Sequence, residues 1–123
     1  ELDQAMAAAV RKFTPEAAMT GSVDKVRFIK PFAADSDVLI KSFVAGASGR
    51  VIEVVAEVYN EQMELGAYAT MTFVVLRKDY VVPELTATTA KEQQLLATFA
   101  KRQKLANEYH QLIKTELDDN YEK

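Results

Sequence analysis

The stretch Gly21–Leu76, GSVDKVRFIKPFAADSDVLIKSFVAGASGRVIEVVAEVYNEQMELGAYATMTFVVL, decides the fold. Its apolar residues recur with period two, the spacing of half-buried strands. Val26 and Phe28 fall on one side, Lys25 and Arg27 on the other, and Pro31 stops the run. Val38, Ile40 and Val44 share the next face. Ile52, Val54, Ala56 and Val58 alternate with the acids Glu53 and Glu57. Ala67, Ala69, Met71, Phe73 and Val75 alternate with Tyr68, Thr70, Thr72 and Val74. The pattern predicts four strands, near 22–30, 37–45, 50–60 and 66–77. The inward set is expected to include Val26, Phe28, Ile52, Val54, Val58, Met71 and Phe73, and the short connections predict an antiparallel meander.

Outward from this core, the chain is helical at both ends. Leu2, Ala5, Met6, Ala9 and Phe13 recur at helical spacing. This predicts a small Ala-rich helix over 2–10, ended by Pro15 and Gly21. Small side chains let such a helix approach a sheet closely, and Ala67 and Ala69 leave room opposite for a helix or a ligand. After a connector over 77–88 containing Pro83, Thr89 and Glu92 form a T-x-x-E capping box. A stripe from Leu95 through Phe99, Arg102, Leu105, Tyr109 and Leu112 to Leu117 then predicts one long helix. The expectation is an α+β domain over 1–85, an antiparallel sheet wrapped around a central helix, with a helical extension over 86–123.

Composition narrows the chemistry. The chain has 123 residues and is 49% hydrophobic, enough for a core without cross-links. It has no cysteine, which excludes disulfides, thiolate metal sites and Cys nucleophiles. Lysine and arginine total 15 against 18 acids, a net charge of −3, so no basic excess marks a nucleic-acid binder. No apolar run reaches the length of a membrane span. The expectations are no nucleic acid, no membrane and a cytoplasmic location.

Few residues offer catalysis. His110, the single histidine, has no nucleophile near it in sequence and is expected at the surface. No spaced set of His, Cys, Asp or Glu suggests a metal. Asp3 lies in the first turn of an apolar helix. A carboxylate there can act as general base or nucleophile, and helix-terminal amides can receive an oxyanion. An acid that simply favours a helix N-terminus is the plainer alternative. The run Gly46-Ala47-Ser48-Gly49-Arg50 lacks phosphate-loop spacing and is expected to be a hairpin turn. Arg50, with Lys78, Lys101, Arg102 or Lys104, can also offer charge to a phosphorylated ligand.

Several words in order resemble the acyl-CoA thioesterase branch of the hotdog-fold proteins. Leu2-Asp3-Gln4-Ala5 matches its helix-opening word, and Thr20 to Pro31 matches its "T-a-x-v-D-x-i-x-F-x-x-P" word. Gly49-Arg50 with Glu53-Val54 matches "G-R-x-S-x-e-V", with Ile52 where Ser is usual. Thr72-Phe73-Val74 and Val82-Pro83 follow in place, while Asp35-Ser36-Asp37 replaces the usual "G-D". The resemblance implies a hotdog fold and hydrolysis of acyl-CoA to free acid and coenzyme A. It implies no metal and no cofactor beyond the coenzyme A of the substrate. It assigns Asp3 as the catalytic carboxylate and the Gly49–Arg50 turn to the nucleotide of coenzyme A. It implies dimers that assemble further into hexamers, with active sites between subunits. The family's first strand, carrying an Asn and a Gly-Gly, would lie before Glu1. The alternative is a non-catalytic hotdog module that binds acyl-CoA or acyl groups as a sensor or assembly domain.

Overall fold

The computed structural model describes residues 2–14, 17–33, 36–80, 83, 85 and 87–121, with side chains for all of these but 2, 3 and 118–121. The chain divides into two compact units, Glu1–Thr86 and Ala87–Lys123. The first contains helix α1 (Leu2–Phe13) and strands β1 (Ala18–Phe28), β2 (Leu39–Ser48), β3 (Val51–Tyr59) and β4 (Leu65–Val75). The second is helix α2 (Ala90–Tyr121).

Helix α1 runs three residues beyond its expected end. Its last turn closes where Thr14 N–H donates to Val10 O, at 2.9 Å, and Arg11 and Lys12 complement its C-terminal dipole. Met6, Ala9 and Val10 form its buried face, set against β2 and β3. Ser42 Oγ on β2 donates to Ala5 O at 2.7 Å and ties the helix to the sheet. The core joins this face to Ile52, Val54 and Ala56 of β3 and to Ala69, Met71, Phe73 and Val75 of β4. The period-two register of these two strands is as the sequence predicts.

All strand pairs are antiparallel, but the sheet order is β1-β4-β3-β2, not a simple meander. The connector over 29–38 carries the chain from one sheet edge to the other, past the β3–β4 turn. Ile29 and Lys30 N–H both donate to Gly66 O, the Phe32 ring packs on Gly66, and Lys30 pairs with Glu64 at 2.6 Å. Asp37 N–H then reaches Glu61 Oε1 at 2.9 Å, just before β2.

Val26 and Phe28 stand opposite the buried Ala69 and Ala67 and so share the core's face, but the burial expected of them is corrected. Val26 is 46% and Phe28 74% exposed, and every residue from Met19 to Phe28 is exposed. Val58 is only partly buried. The reason is geometric: α1 covers β2 and β3 and leaves the β1 edge bare. Gly21 does not end the helix but sits inside β1, where the register slips between Thr20 and Ser22. A Cβ there would lie 2.9 Å from a Val74 methyl. Pro15 lies outside the described residues. Glu53, expected outward, does lie opposite Ile52 and Val54, yet it is 7% exposed. It stands in a central strand, flanked by Gly46 of β2 and Thr72 of β4.

Candidate active site

Asp3 lies in the first turn of α1, as the sequence predicts. Its side chain lies outside the described residues. The first turns of α1 hold the backbone N–H groups around Asp3, and amides at a helix start are a ready site for negative charge. Their placement on the sheet follows from Met6, which is fully buried, and from the bond between Ser42 and Ala5.

The Gly49–Arg50 turn joins β2 to β3, with Ser48 opposite Val51. Gly49 has φ +60°, and its pairing with a second residue at ordinary φ is the pattern of a type II′ hairpin. A Cβ at Gly49 would meet nothing within 4 Å, so its backbone is open to approach. Arg50 is engaged with the protein itself. Its Nε donates to Val75 O at 2.9 Å and its Nη2 to Leu76 O at 3.3 Å. Its own carbonyl accepts from Val75 N–H at 2.8 Å. The side chain therefore clamps the end of β4 to the β2–β3 turn.

The other suggested cations are scattered. Lys78 is exposed in the connector, and Arg102 of α2 donates to Leu95 O at 2.8 Å and to Thr98 Oγ1. His110 is exposed, as expected. Among the described residues no group of three His, Cys, Asp or Glu could hold a metal ion. No helix among them is long and apolar enough to cross a membrane.

One polar cluster escaped the sequence reading. Asp24 is the unpaired residue of a second bulge in β1, between Val23 and Lys25. Its carboxylate accepts from Ser22 Oγ at 2.5 Å and from Thr72 Oγ1 of β4 at 2.6 Å. An acid interrupting a strand pattern was the available signal, but the bulge that aims it depends on pairing with a strand 48 residues away.

The thioesterase superfamily profile matches residues 2–67, more than half of the chain and the segment from α1 into β4. A search of curated proteins finds no match. Solved structures do. The chain is similar to an acyl-CoA hydrolase from Staphylococcus aureus solved with butyryl coenzyme A, coenzyme A and coenzyme A disulfide. That match has a TM-score of 0.80 and 23% identity, over 97% of this chain and 74% of the other. An acyl-CoA hydrolase from Bacillus cereus matches with TM-score 0.75 and 24% identity, over 96% and 74% of the two chains. A hexameric hotdog fold thioesterase of Campylobacter jejuni matches with TM-score 0.54 and 24% identity, over 78% and 76%. At these identities the likeness shows the fold, the expected hotdog architecture.

Proposed function

The chain belongs to the thioesterase superfamily, and from that premise we propose that it hydrolyses acyl-CoA to free acid and coenzyme A. The observation that carries this reading is the family match over residues 2–67, which includes the whole of α1 and the Gly49–Arg50 turn. The fold likeness to a hydrolase solved with butyryl coenzyme A supports the substrate class.

In the proposed reaction the Asp3 carboxylate takes a proton from a water as the water oxygen bonds to the thioester carbon. The carbonyl oxygen gains negative charge, and amides at the start of α1 are the proposed donors to it. The tetrahedral intermediate collapses, the C–S bond breaks and coenzyme A leaves as thiolate, which recovers the proton. Direct attack by the carboxylate, followed by hydrolysis of the anhydride, uses the same residue. A thiolate leaves with little help from an acid, so one carboxylate with oxyanion donors suffices. The nucleotide of coenzyme A is assigned to the Gly49–Arg50 turn, supported by the open backbone at Gly49. No cofactor is proposed beyond the coenzyme A of the substrate. Acyl-CoA is an intracellular metabolite, and the cytoplasm is the proposed compartment.

The proposed assembly is a homodimer joined along β1, with dimers combining into a hexamer. Support comes from an edge strand eleven residues long with Met19, Val23, Val26 and Phe28 all exposed. Such an edge is a template for pairing with another strand.

Thiol release from a panel of acyl-CoAs tests the activity. Asp3→Asn keeps size and removes the base. Turnover should fall on the order of 10²–10⁴-fold, while KM changes little because the carboxylate acts mainly in the transition state. Near-parent turnover in Asp3→Asn would remove the catalytic assignment. Binding of acyl-CoA without thiol release from any substrate would replace the enzyme with a sensor. Light scattering that finds only monomer at micromolar concentration would end the assembly proposal.

A further inference from the structure

Helix α2 carries a stripe of exposed apolar residues. Leu105, Tyr109, Leu112, Ile113 and Leu117 are between 42% and 70% exposed. Their spacing of three and four residues places them in one stripe of a 32-residue helix. An isolated helix that exposes such a stripe is poorly stabilised, because helices gain most of their stability from packing that face. The charges along α2 say what fits it. The N-terminal half holds Lys91, Lys101, Arg102 and Lys104 against a single acid, Glu92. The C-terminal half to Tyr121 holds Glu108, Glu116, Asp118 and Asp119 against a single base, Lys114.

The stripe itself repeats this asymmetry. Arg102, Tyr109 and Glu116 follow at intervals of seven, so all three lie on the same side of the helix as the apolar residues. Arg102 and Glu116 stand two turns before and two turns after Tyr109. A face arranged in this way is complementary to itself when reversed.

We propose that α2 pairs antiparallel with α2 of a second copy of this chain, about a two-fold axis near Tyr109. In that pair Arg102 of each copy comes within reach of Glu116 of the other. The basic halves lie along acidic halves, and the helix dipoles oppose. Leu105 and Leu112 of one copy pack among Leu112, Ile113 and Leu117 of the other. A parallel pair would instead set Arg102 beside Arg102 and Glu116 beside Glu116, a repulsive arrangement. The bonds from Arg102 to Leu95 O and Thr98 Oγ1 direct its head along the stripe toward the N-terminus of its own helix. This pairing is independent of the catalytic reading.

The chain has no cysteine, so introduced thiols are unique. Full-length Arg102→Cys and Glu116→Cys proteins, one carrying a tag that shifts its mass, are mixed and treated with a short bifunctional maleimide. The expected product is the mixed dimer, with neither protein linking to itself. In the antiparallel pair two copies of residue 102 are about 21 Å apart along the axis, at 1.5 Å per residue. Self-linking of either protein alone would mean a parallel pair and overturn the proposal. Absence of the mixed product would overturn it as well, in favour of another occupant of the stripe. A second series uses Tyr109→Cys. Adding Arg102→Glu or Glu116→Arg should lower its self-linking roughly ten-fold, as like charges meet across the pair. Combining both reversals should restore it. Circular dichroism checks that α2 remains helical in each protein. Equal linking in the single-reversal and double-reversal proteins would refute the charge pairing.

Discussion

Two glycines show how differently a missing side chain can matter. At Gly66 a Cβ would lie 2.4 Å from the Cζ of Phe32. Gly66 is also the extra residue where the β3–β4 register slips between Val58 and Tyr59. Gly66→Ala must push the Phe32 ring off the sheet, and overpacking of this kind costs about 1–3 kcal/mol. Denaturant unfolding should show that loss, and Phe32→Leu in the same chain should recover part of it. At Gly49 the space is open but φ is +60°. Gly49→Ala should cost about 1–2 kcal/mol through the backbone alone, and changes to neighbouring side chains should not relieve it. Arg50 adds a different test. Its bonds to Val75 O and Leu76 O predict that Arg50→Ala lowers the unfolding temperature as well as any affinity for coenzyme A. A variant that lost affinity at unchanged stability would contradict the clamp.

At the scale of elements, the N-terminus of α2 is the clearest case of local chemistry written in local sequence. Glu92 N–H donates to Thr89 Oγ1 at 3.1 Å, and Glu92 Oε1 accepts from the N–H groups of Thr88 and Thr89 at 3.0 and 3.3 Å. The Thr88 backbone bond first, then its hydroxyl, holds the Glu92 carboxyl below its ordinary value. Its folded-state value is thus lower than its unfolded one. The stabilisation is complete above the ordinary carboxylate range and disappears as pH falls through the lowered value. Acid titration followed by far-UV circular dichroism should show α2 losing helix in that window, and Glu92→Gln should flatten the dependence. Thr89→Ala should cost on the order of 1 kcal/mol of helix stability. Glu64 behaves similarly in the β3–β4 turn, where the bond from Lys30 is the main cause of its lowered value. Strand β4 was equally legible, because burial on one face imposes a period of two, whereas β3 kept its inner set of Ile52, Val54 and Ala56 but buries Glu53 and Val55 on its other face as well. Strand β1 was not legible. Its apolar residues have the same period but no helix above them, and its two bulges come from pairing with β4.

For the whole molecule, Met6 is the point at which helix and sheet meet. It is fully buried in the cluster with Ile52, Val54 and Met71. Met6→Ala should open a cavity and cost about 2–5 kcal/mol, read as a fall in denaturation midpoint. Because α1 also carries Asp3, a misplaced helix should reduce activity before it unfolds the chain. Activity and stability measured together over a temperature series would show the two losses separating. If they coincide, α1 docks and unfolds only with the sheet as a whole.

The sequence by itself determined what depends on near neighbours. Alternation from Val51 to Val75 set the inner faces of β3 and β4, Met6 and Ala9 of the predicted stripe set the buried side of α1, which Val10 completes, and Thr89 with Glu92 set the start of α2. The order of its words also pointed to the family. Tertiary structure alone decided the rest. It placed β1 beside β4, with Ile29, Lys30 and Asp37 bonded to Gly66, Glu64 and Glu61 of the distant β3–β4 turn. It left Val26 and Phe28 exposed although they share the core's face with Ala69 and Ala67, because β1 is an edge strand and α1 packs on β2 and β3. It aimed Asp24 at Thr72 and tied Arg50 to the end of β4. Each of these depends on contacts between residues far apart in the chain, and local periodicity carries no record of which distant strand will supply the partner.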